Sequence, residues 1–85
     1  MLSVYKYGFY IDDVVEISMP VGAEVLTVQM QGDNPALWAR VDTAARMEVR
    51  RFAIRGTGHP DASGRYVGTF QMHGGALVFH VFERS

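Results

Sequence analysis

Three histidines, several arginines and one tryptophan are the residues of this 85-residue chain whose chemistry could support a function. His59 follows two glycines in the stretch Gly56-Thr57-Gly58-His59-Pro60, where backbone N–H groups could converge on an anion. The stretch matches neither a dinucleotide fingerprint nor a P-loop, so a bend between strands is the simpler interpretation. His73 and His80 are not spaced as metal ligands, and the chain has no cysteine. We predict no metal site and no cofactor.

Nucleophilic catalysis is also not favoured by the sequence. None of the four serines lies in a G-x-S-x-G motif, and Asp12 and Asp13 are adjacent, which in a strand points them to opposite faces. We therefore predict no catalytic residues. A small hydrolase or metal-binding protein built from the histidines and Asp61 is kept only as a second alternative.

The arginines are concentrated in the middle of the chain. Residues 1–39 hold one lysine against five acidic residues, whereas residues 40–65 hold six arginines against three acidic residues. Guanidinium groups beside an indole suit phosphate contact and base stacking. The sequence therefore offers, as a first alternative, a nucleotide or single-stranded nucleic acid site. Its candidate ligand-binding residues are Trp38, Arg40, Arg51, Arg55 and His59.

Alternating apolar residues predict the strands that would position these side chains. Residues 5–11, 14–19 and 23–31 alternate with a period of two, and Asp12-Asp13 marks a turn that would let the first two strands form a hairpin. In the third strand, Leu26, Val28 and Met30 are expected to share one face. The residues 32–35 are a dense turn signal.

Residues 36–55 have two interpretations. As strands, Leu37, Ala39 and Val41 face one way and Trp38 and Arg40 the other, and a later strand turns Phe52 and Ile54 inward. As a helix over about 35–47, Asn34 would be the N-cap and Pro35 the first helical residue. The regular spacing of turns elsewhere favours strands.

A closing hairpin follows the glycine-rich loop. If Gly74-Gly75 forms its turn, the pairs Met72–Leu77, Phe70–Phe79 and Gly68–Val81 form one apolar face. The opposite face carries both apolar and polar side chains. A wholly buried face would be apolar and a wholly exposed face would be polar. Its residues are the candidate interface: Val67, Thr69, Gln71, Val78, His80 and Phe82.

Together these patterns predict one small all-β domain over residues 1–85. We expect an antiparallel barrel or two-sheet sandwich of about six or seven short strands, with α+β as the alternative if residues 35–47 are helical. No apolar run approaches the length of a membrane span, and we expect a cytoplasmic protein without a membrane partner.

Four linked motifs resemble those of a known family. They are MPVGAEVLTVQ (residues 19–29), LWA (37–39), GTGHP (56–60) and YVGTFQ running into GGALVFHVFE (66–83). They resemble a family of very short bacterial and phage proteins of unassigned function. The resemblance implies a phage or prophage context and a bacterial host cytoplasm, and it supplies no catalytic or ligand residues.

A thin core and the mixed face of the closing hairpin lead to our main functional expectation. A chain of this length buries a limited core, which association would supplement. We expect a non-catalytic domain that acts by binding a protein partner or by forming a homo-oligomer.

Overall fold

The computed structural model describes all residues, 1–85, and contains seven strands and one short 3₁₀ turn. This confirms the all-β prediction. The elements are β1 (Leu2–Gly8), β2 (Val14–Pro20), β3 (Glu24–Gln31), β4 (Asn34–Asp42), β5 (Met47–Gly56), β6 (Arg65–Met72), the turn His73–Gly75 and β7 (Leu77–Arg84).

The strands form two antiparallel sheets that pack as a sandwich. The three-stranded sheet has the order β1-β4-β3, and the four-stranded sheet has the order β2-β5-β7-β6. Alternate residues of the inner strands fill the space between them, among them Leu37, Phe52 and Val81, all nearly inaccessible to solvent. The core therefore lies between the sheets, and the opposite residues of each strand form two outer faces.

Residues 36–55 form β4 and β5 with a turn between them, so the helical alternative over 35–47 is wrong. Leu37, Ala39 and Val41 are buried on one side of β4, while Arg40 is exposed on the other. A helix would have scattered these three apolar side chains around its axis, whereas a strand places all of them on one side, in the core between the sheets. However, β4 and β5 do not pair with each other, because the turn at residues 43–46 carries the chain between sheets.

The predicted hairpin between the first two strands is also wrong. The first strand ends at Gly8 instead of Ile11, and it pairs with β4, whereas β2 pairs with β5. The connection crosses between the sheets, and Phe9 packs edge-on against Phe70, with ring centroids 6.1 Å apart. This apolar contact draws the connecting residues into the core.

A β-bulge changes the expected faces of β3. The register shifts between Val25 and Thr27, so Val25 and Val28 both pack towards the core and Leu26 is exposed. The predicted sharing of a face by Leu26 and Val28 is therefore wrong. An added residue in one strand reverses the alternation, which a period-two pattern cannot show.

One side of the sandwich is tightly closed. At this side β6 approaches β3, and a Cβ atom on Gly68 would lie only 2.8 Å from Val28 Cγ1. The absence of a side chain at position 68 thus lets the two edge strands approach each other.

The closing hairpin has the predicted register between Gly68–Val81 and Met72–Leu77. Its turn is longer than two residues, since residues 73–76 lie between the paired positions. His73, Gly74 and Gly75 all have positive φ (53°, 65° and 95°).

No helix in the structure is long and apolar enough to cross a membrane.

Candidate interaction surface

The outer face of the four-stranded sheet brings together residues from both sets of candidates. The strand register places Arg55, His80 and Thr69 in one row across β5, β7 and β6. The neighbouring row is apolar and contains Val14, Ala53, Phe82 and Tyr66. We call the part of this face around these two rows the mixed surface; its residues are Val14, Glu16, Arg51, Ala53, Arg55, Tyr66, Thr69, Gln71, Val78, His80, Phe82 and Arg84.

A chain of hydrogen bonds orders the polar row. Thr69 Oγ1 lies 2.9 Å from His80 Nδ1, and Thr57 Oγ1 lies 2.7 Å from His80 Nε2. The Tyr66 hydroxyl lies 2.6 Å from Thr69 Oγ1. Because hydroxyls both donate and accept, both ring nitrogens of His80 are satisfied in either tautomer. These hydrogen bonds therefore hold His80, Thr69 and Tyr66 in fixed positions.

The apolar row is centred on two aromatic rings. The Tyr66 and Phe82 rings meet edge-on with centroids 5.7 Å apart, and Ala53 is buried at the next position of the row. The predicted interface residue Val67 is not on this surface. A bulge between Tyr66 and Gly68 pairs Tyr66 with Phe82 and turns Val67 towards the core.

The charge of the mixed surface comes from arginines. Arg51 pairs with Glu16 through Nε at 2.9 Å. Arg55 donates to two backbone oxygens, those of Asp13 at 2.8 Å and Ile54 at 3.1 Å, and forms no ion pair. Arg84 likewise forms no ion pair. The surface therefore presents three arginines against one glutamate, and two of the arginines have no carboxylate partner.

Trp38 and Arg40 lie on the other side of the molecule. They project from the outer face of β4, the central strand of the three-stranded sheet, where Trp38 neighbours Lys6 and Thr27 and Arg40 pairs with Glu24 at 3.0 Å. The structure therefore does not bring them together with Arg51 and Arg55. The five candidate ligand-binding residues do not form a single site.

His59 belongs to a turn. Its N–H donates to the Gly56 carbonyl at 3.1 Å, and its ring covers Gly56. Thr57 in the same turn donates its N–H to Val78 on the closing hairpin. The interpretation of the GTGHP stretch as a bend agrees with this geometry, and the turn supplies the second hydroxyl that contacts His80.

A family model for a domain of unknown function, DUF7352, matches residues 1–85, the whole chain. The protein is a DUF7352 domain. No curated protein and no solved structure matches it significantly.

Sequence reasoning missed the ion pair at one end of the DUF7352 core. Arg50 Nε and Glu83 Oε2 lie 2.6 Å apart, and Arg50 also donates to the Ala23 carbonyl at 2.6 Å. The two charged side chains are only 13% and 15% exposed. Since Arg50 extends from the four-stranded sheet to the residue before β3, it connects the two sheets.

This ion pair has a clear electrostatic signature. The hydrogen bond from Arg50, followed by its charge and that of Arg65, lowers the pKa of Glu83 although burial opposes this. The hydrogen bond to Glu83 raises the pKa of Arg50. The sequence contained a signal for this ion pair. Arg50 and the buried Phe52 and Ile54 are alternate residues, so in a strand the Arg50 side chain lies on the same side as theirs.

Proposed function

We propose that this DUF7352 domain is a non-catalytic module that binds another protein through the mixed surface. The observation that supports the proposal is an apolar aromatic row flanked by arginines that have no carboxylate partner. Aromatic side chains and arginine are enriched among the residues that contribute most to protein interfaces. The hydrogen-bonded row from Tyr66 to Thr57 lowers the cost of ordering the surface on binding.

The charge of the surface specifies the chemistry of the partner. Two copies of the mixed surface would bring Arg55 and Arg84 of each close to the same groups of the other, which electrostatics disfavours. A partner that offers carboxylates around an apolar patch would pair with both arginines and cover Tyr66 and Phe82. We therefore infer an acidic protein partner at this surface.

Site-specific photo-crosslinking in the cells that naturally produce the protein tests this proposal. A photoreactive phenylalanine analogue is placed at Tyr66, at Gln71 or, as the matched control, at Arg40 on the opposite outer face. We expect the same protein to be cross-linked from Tyr66 and Gln71 and not from Arg40. Purified, that protein should bind at least about tenfold more weakly to the Arg55→Glu, Arg84→Glu double variant, since like charges then face its carboxylates.

Two outcomes would count against the proposal. One is equal cross-linking from all three positions, which indicates non-specific contact. The other is a partner whose affinity is unchanged by the double charge reversal but reduced by Arg40→Glu, which would place binding on the three-stranded sheet.

A nucleotide or single-stranded nucleic acid is a second candidate ligand for the same surface. It is favoured by the Tyr66 and Phe82 rings beside Arg55 and Arg84, because stacking and guanidinium contacts are how such ligands bind. Titration with labelled oligonucleotides at low salt tests it, with the Arg55→Glu, Arg84→Glu variant compared with Arg40→Glu. Binding that is lost only in the first variant supports this candidate, and no binding at low salt removes it.

A small hydrolase or metal-binding protein is the third candidate, and the metal content of the purified protein tests its metal-binding form. No three histidine, aspartate or glutamate side chains are grouped so that they could hold a metal ion. His80 is engaged by two threonine hydroxyls and His59 by its own turn.

We further propose a phage or prophage context and a location in the host cytoplasm. Both rest on the motif resemblance at residues 19–29, 56–60 and 66–83. Fractionation of the producing cells tests the location: recovery of the protein in the periplasmic or secreted fraction would contradict it.

A further inference from the structure

The outer edge of β1 is unprotected, unlike the other edges of the two sheets. Edge strands are normally shielded by bulges, proline, charge or contact with another element. β3 and β6 carry bulges and pack against each other, and β2 ends in Pro20. β1 pairs with β4 over seven consecutive residues without a register shift and has no proline.

The side chains of β1 increase this contrast. Leu2, Val4 and Tyr5 are 69%, 54% and 42% exposed. The one charged residue of the strand is Lys6, and its Nζ donates to Gln31 Oε1 at 2.6 Å. Gln31 is in β3, on the far side of β4, so the ammonium group is directed away from the free edge.

The hydrogen bonds show which backbone groups of β1 are free. Thr43 donates to the Met1 carbonyl and Phe9 donates to the Pro35 carbonyl, at the two ends of the β1–β4 ladder. Hydrogen-bonded pairs alternate with non-hydrogen-bonded pairs in an antiparallel ladder, so the odd-numbered residues bond to β4. The even-numbered residues Leu2, Val4, Lys6 and Gly8 therefore direct their N–H and C=O groups outwards.

We propose that β1 pairs with β1 of a second copy of this chain, antiparallel and about a two-fold axis at Tyr5. In this register Leu2 pairs with Gly8 and Val4 pairs with Lys6 of the second copy, so every outward N–H and C=O of the strand is used. The strand carries one charged residue, and this register places Lys6 opposite a valine rather than opposite another lysine. The two three-stranded sheets become one six-stranded sheet, β3-β4-β1-β1-β4-β3.

The second copy is favoured over an unrelated strand by this self-complementarity. In an isologous contact the same segment of both copies must be complementary to itself about the two-fold axis. β1 is self-complementary in its backbone hydrogen bonds, in its charge and in its central Tyr5–Tyr5 pair. The contact is separate from the mixed surface, which lies on the other sheet. Its failure would therefore leave the proposed partner binding untouched.

Sedimentation equilibrium on the full chain tests the proposal, with Val4→Lys as the disrupting variant and Val49→Lys as its matched control. Val49 is a valine of similar exposure, 59%, on the outer face of β5. We expect a dimer whose dissociation constant rises at least about tenfold in Val4→Lys, because a lysine then replaces each of the two valines that pair with Lys6 across the new ladder. Val49→Lys should leave it unchanged.

Disulfide trapping tests the register independently. The natural chain has no cysteine, so single-cysteine variants report one contact each. The proposed axis places Tyr5 opposite itself as a non-hydrogen-bonded pair, with Cα atoms about 4.5 Å apart, within disulfide range. Tyr5→Cys should form a covalent dimer on mild oxidation, whereas Ser3→Cys, which would lie opposite Tyr7, should not.

Three results would overturn the proposal. They are a monomer at every concentration reached, a dimer that Val49→Lys weakens as much as Val4→Lys does, and trapping through Ser3→Cys in preference to Tyr5→Cys. Circular dichroism of each variant distinguishes loss of pairing from loss of folding.

Discussion

Arg50 and Glu83, whose side chains are largely shielded from water, form the ion pair with the largest expected effect on stability. Without Arg50, Glu83 would keep only Arg65, whose Nη2 lies 3.2 Å from Glu83 Oε1 and whose side chain is 65% exposed, in a site that water scarcely reaches. Arg50 makes two hydrogen bonds to Glu83, whereas the exposed pair of Arg51 and Glu16 has one, at 2.9 Å, and is solvated on both sides. Burial and the second hydrogen bond are therefore the reasons to expect a larger effect on stability from the Arg50–Glu83 pair than from the Arg51–Glu16 pair.

The Arg50→Ala variant should lose about 2–4 kcal/mol of unfolding free energy, because Glu83 then keeps only the exposed Arg65 as a partner and the Ala23 carbonyl loses its donor. Urea denaturation monitored by circular dichroism measures the change. The matched control is Arg51→Ala, whose loss should be too small to resolve, since surface ion pairs contribute little. Equal losses in both variants would show that the contact between the sheets is not structurally important.

The depressed pKa of Glu83 predicts acid sensitivity. A carboxyl whose folded pKa is lowered contributes stability that is complete above its ordinary value of 4.5 and is lost as the pH falls through the folded pKa. The difference in unfolding free energy between the natural chain and Glu83→Gln should therefore shrink as the pH is lowered below that value. A difference that stays constant down to strongly acidic pH would contradict this.

Tyr7 offers a stabilising substitution. Its hydroxyl oxygen is buried without a hydrogen-bond partner, and burial, followed by the nearby Tyr5, raises the pKa of the phenol. Tyr7→Phe removes the unsatisfied group and should raise the unfolding free energy by about 1 kcal/mol. Tyr66→Phe is the control, because it deletes a hydroxyl that is bonded to Thr69 and should not stabilise the protein.

At the scale of elements, the sequence predicted strands well and the partners of strands poorly. Alternation identified β2, β4 and the inward residues Leu37, Phe52 and Ile54, because burial on one side of a strand imposes a period of two. The register of β6 and β7 also followed from counting, since a short turn fixes it. The alternation could not predict the single-residue bulges at Leu26 and Val67. A bulge changes which face of the strand the side chains occupy, but it does not change the residue types.

Pairing between distant strands could not be read from the pattern. β1 pairs with β4 and β2 with β5, although turn signals near Asp12 suggested a local hairpin. For the candidate site, the sequence identified most of the mixed surface but joined Trp38 and Arg40 to the wrong arginines. Predicting which residues share an outer face requires knowing which sheet each strand belongs to, and this depends on packing across the whole chain.

The close approach of β3 and β6 predicts a coupled pair of substitutions. Gly68→Ala places a methyl group against Val28 and should cost about 1–3 kcal/mol, because the sheets must separate or the valine must move. Adding Val28→Ala makes room for the methyl group. A double-mutant cycle from urea denaturation should therefore show a combined loss smaller than the sum of the single losses. Additive losses would mean that the two strands are not in contact.

At the scale of the whole molecule, the topology predicts slow folding. Of the five strand pairings, three join strands that are not consecutive in the chain, so long loops must close before the sheets form. We expect refolding on a scale of roughly milliseconds to seconds, as for other small sandwiches. Stopped-flow circular dichroism after dilution from urea measures it, and a microsecond phase carrying the full amplitude would contradict the expectation.

The position of the single tryptophan gives the molecule a built-in spectroscopic reporter. Trp38 lies on the three-stranded sheet beside Lys6 of β1, and the mixed surface lies on the opposite side. Indole emission should therefore respond to events at the β1 edge and be silent to binding on the mixed surface. A change in Trp38 emission of the unlabelled protein would therefore indicate pairing of two copies through β1, whereas binding of a ligand to the mixed surface would leave the emission unchanged.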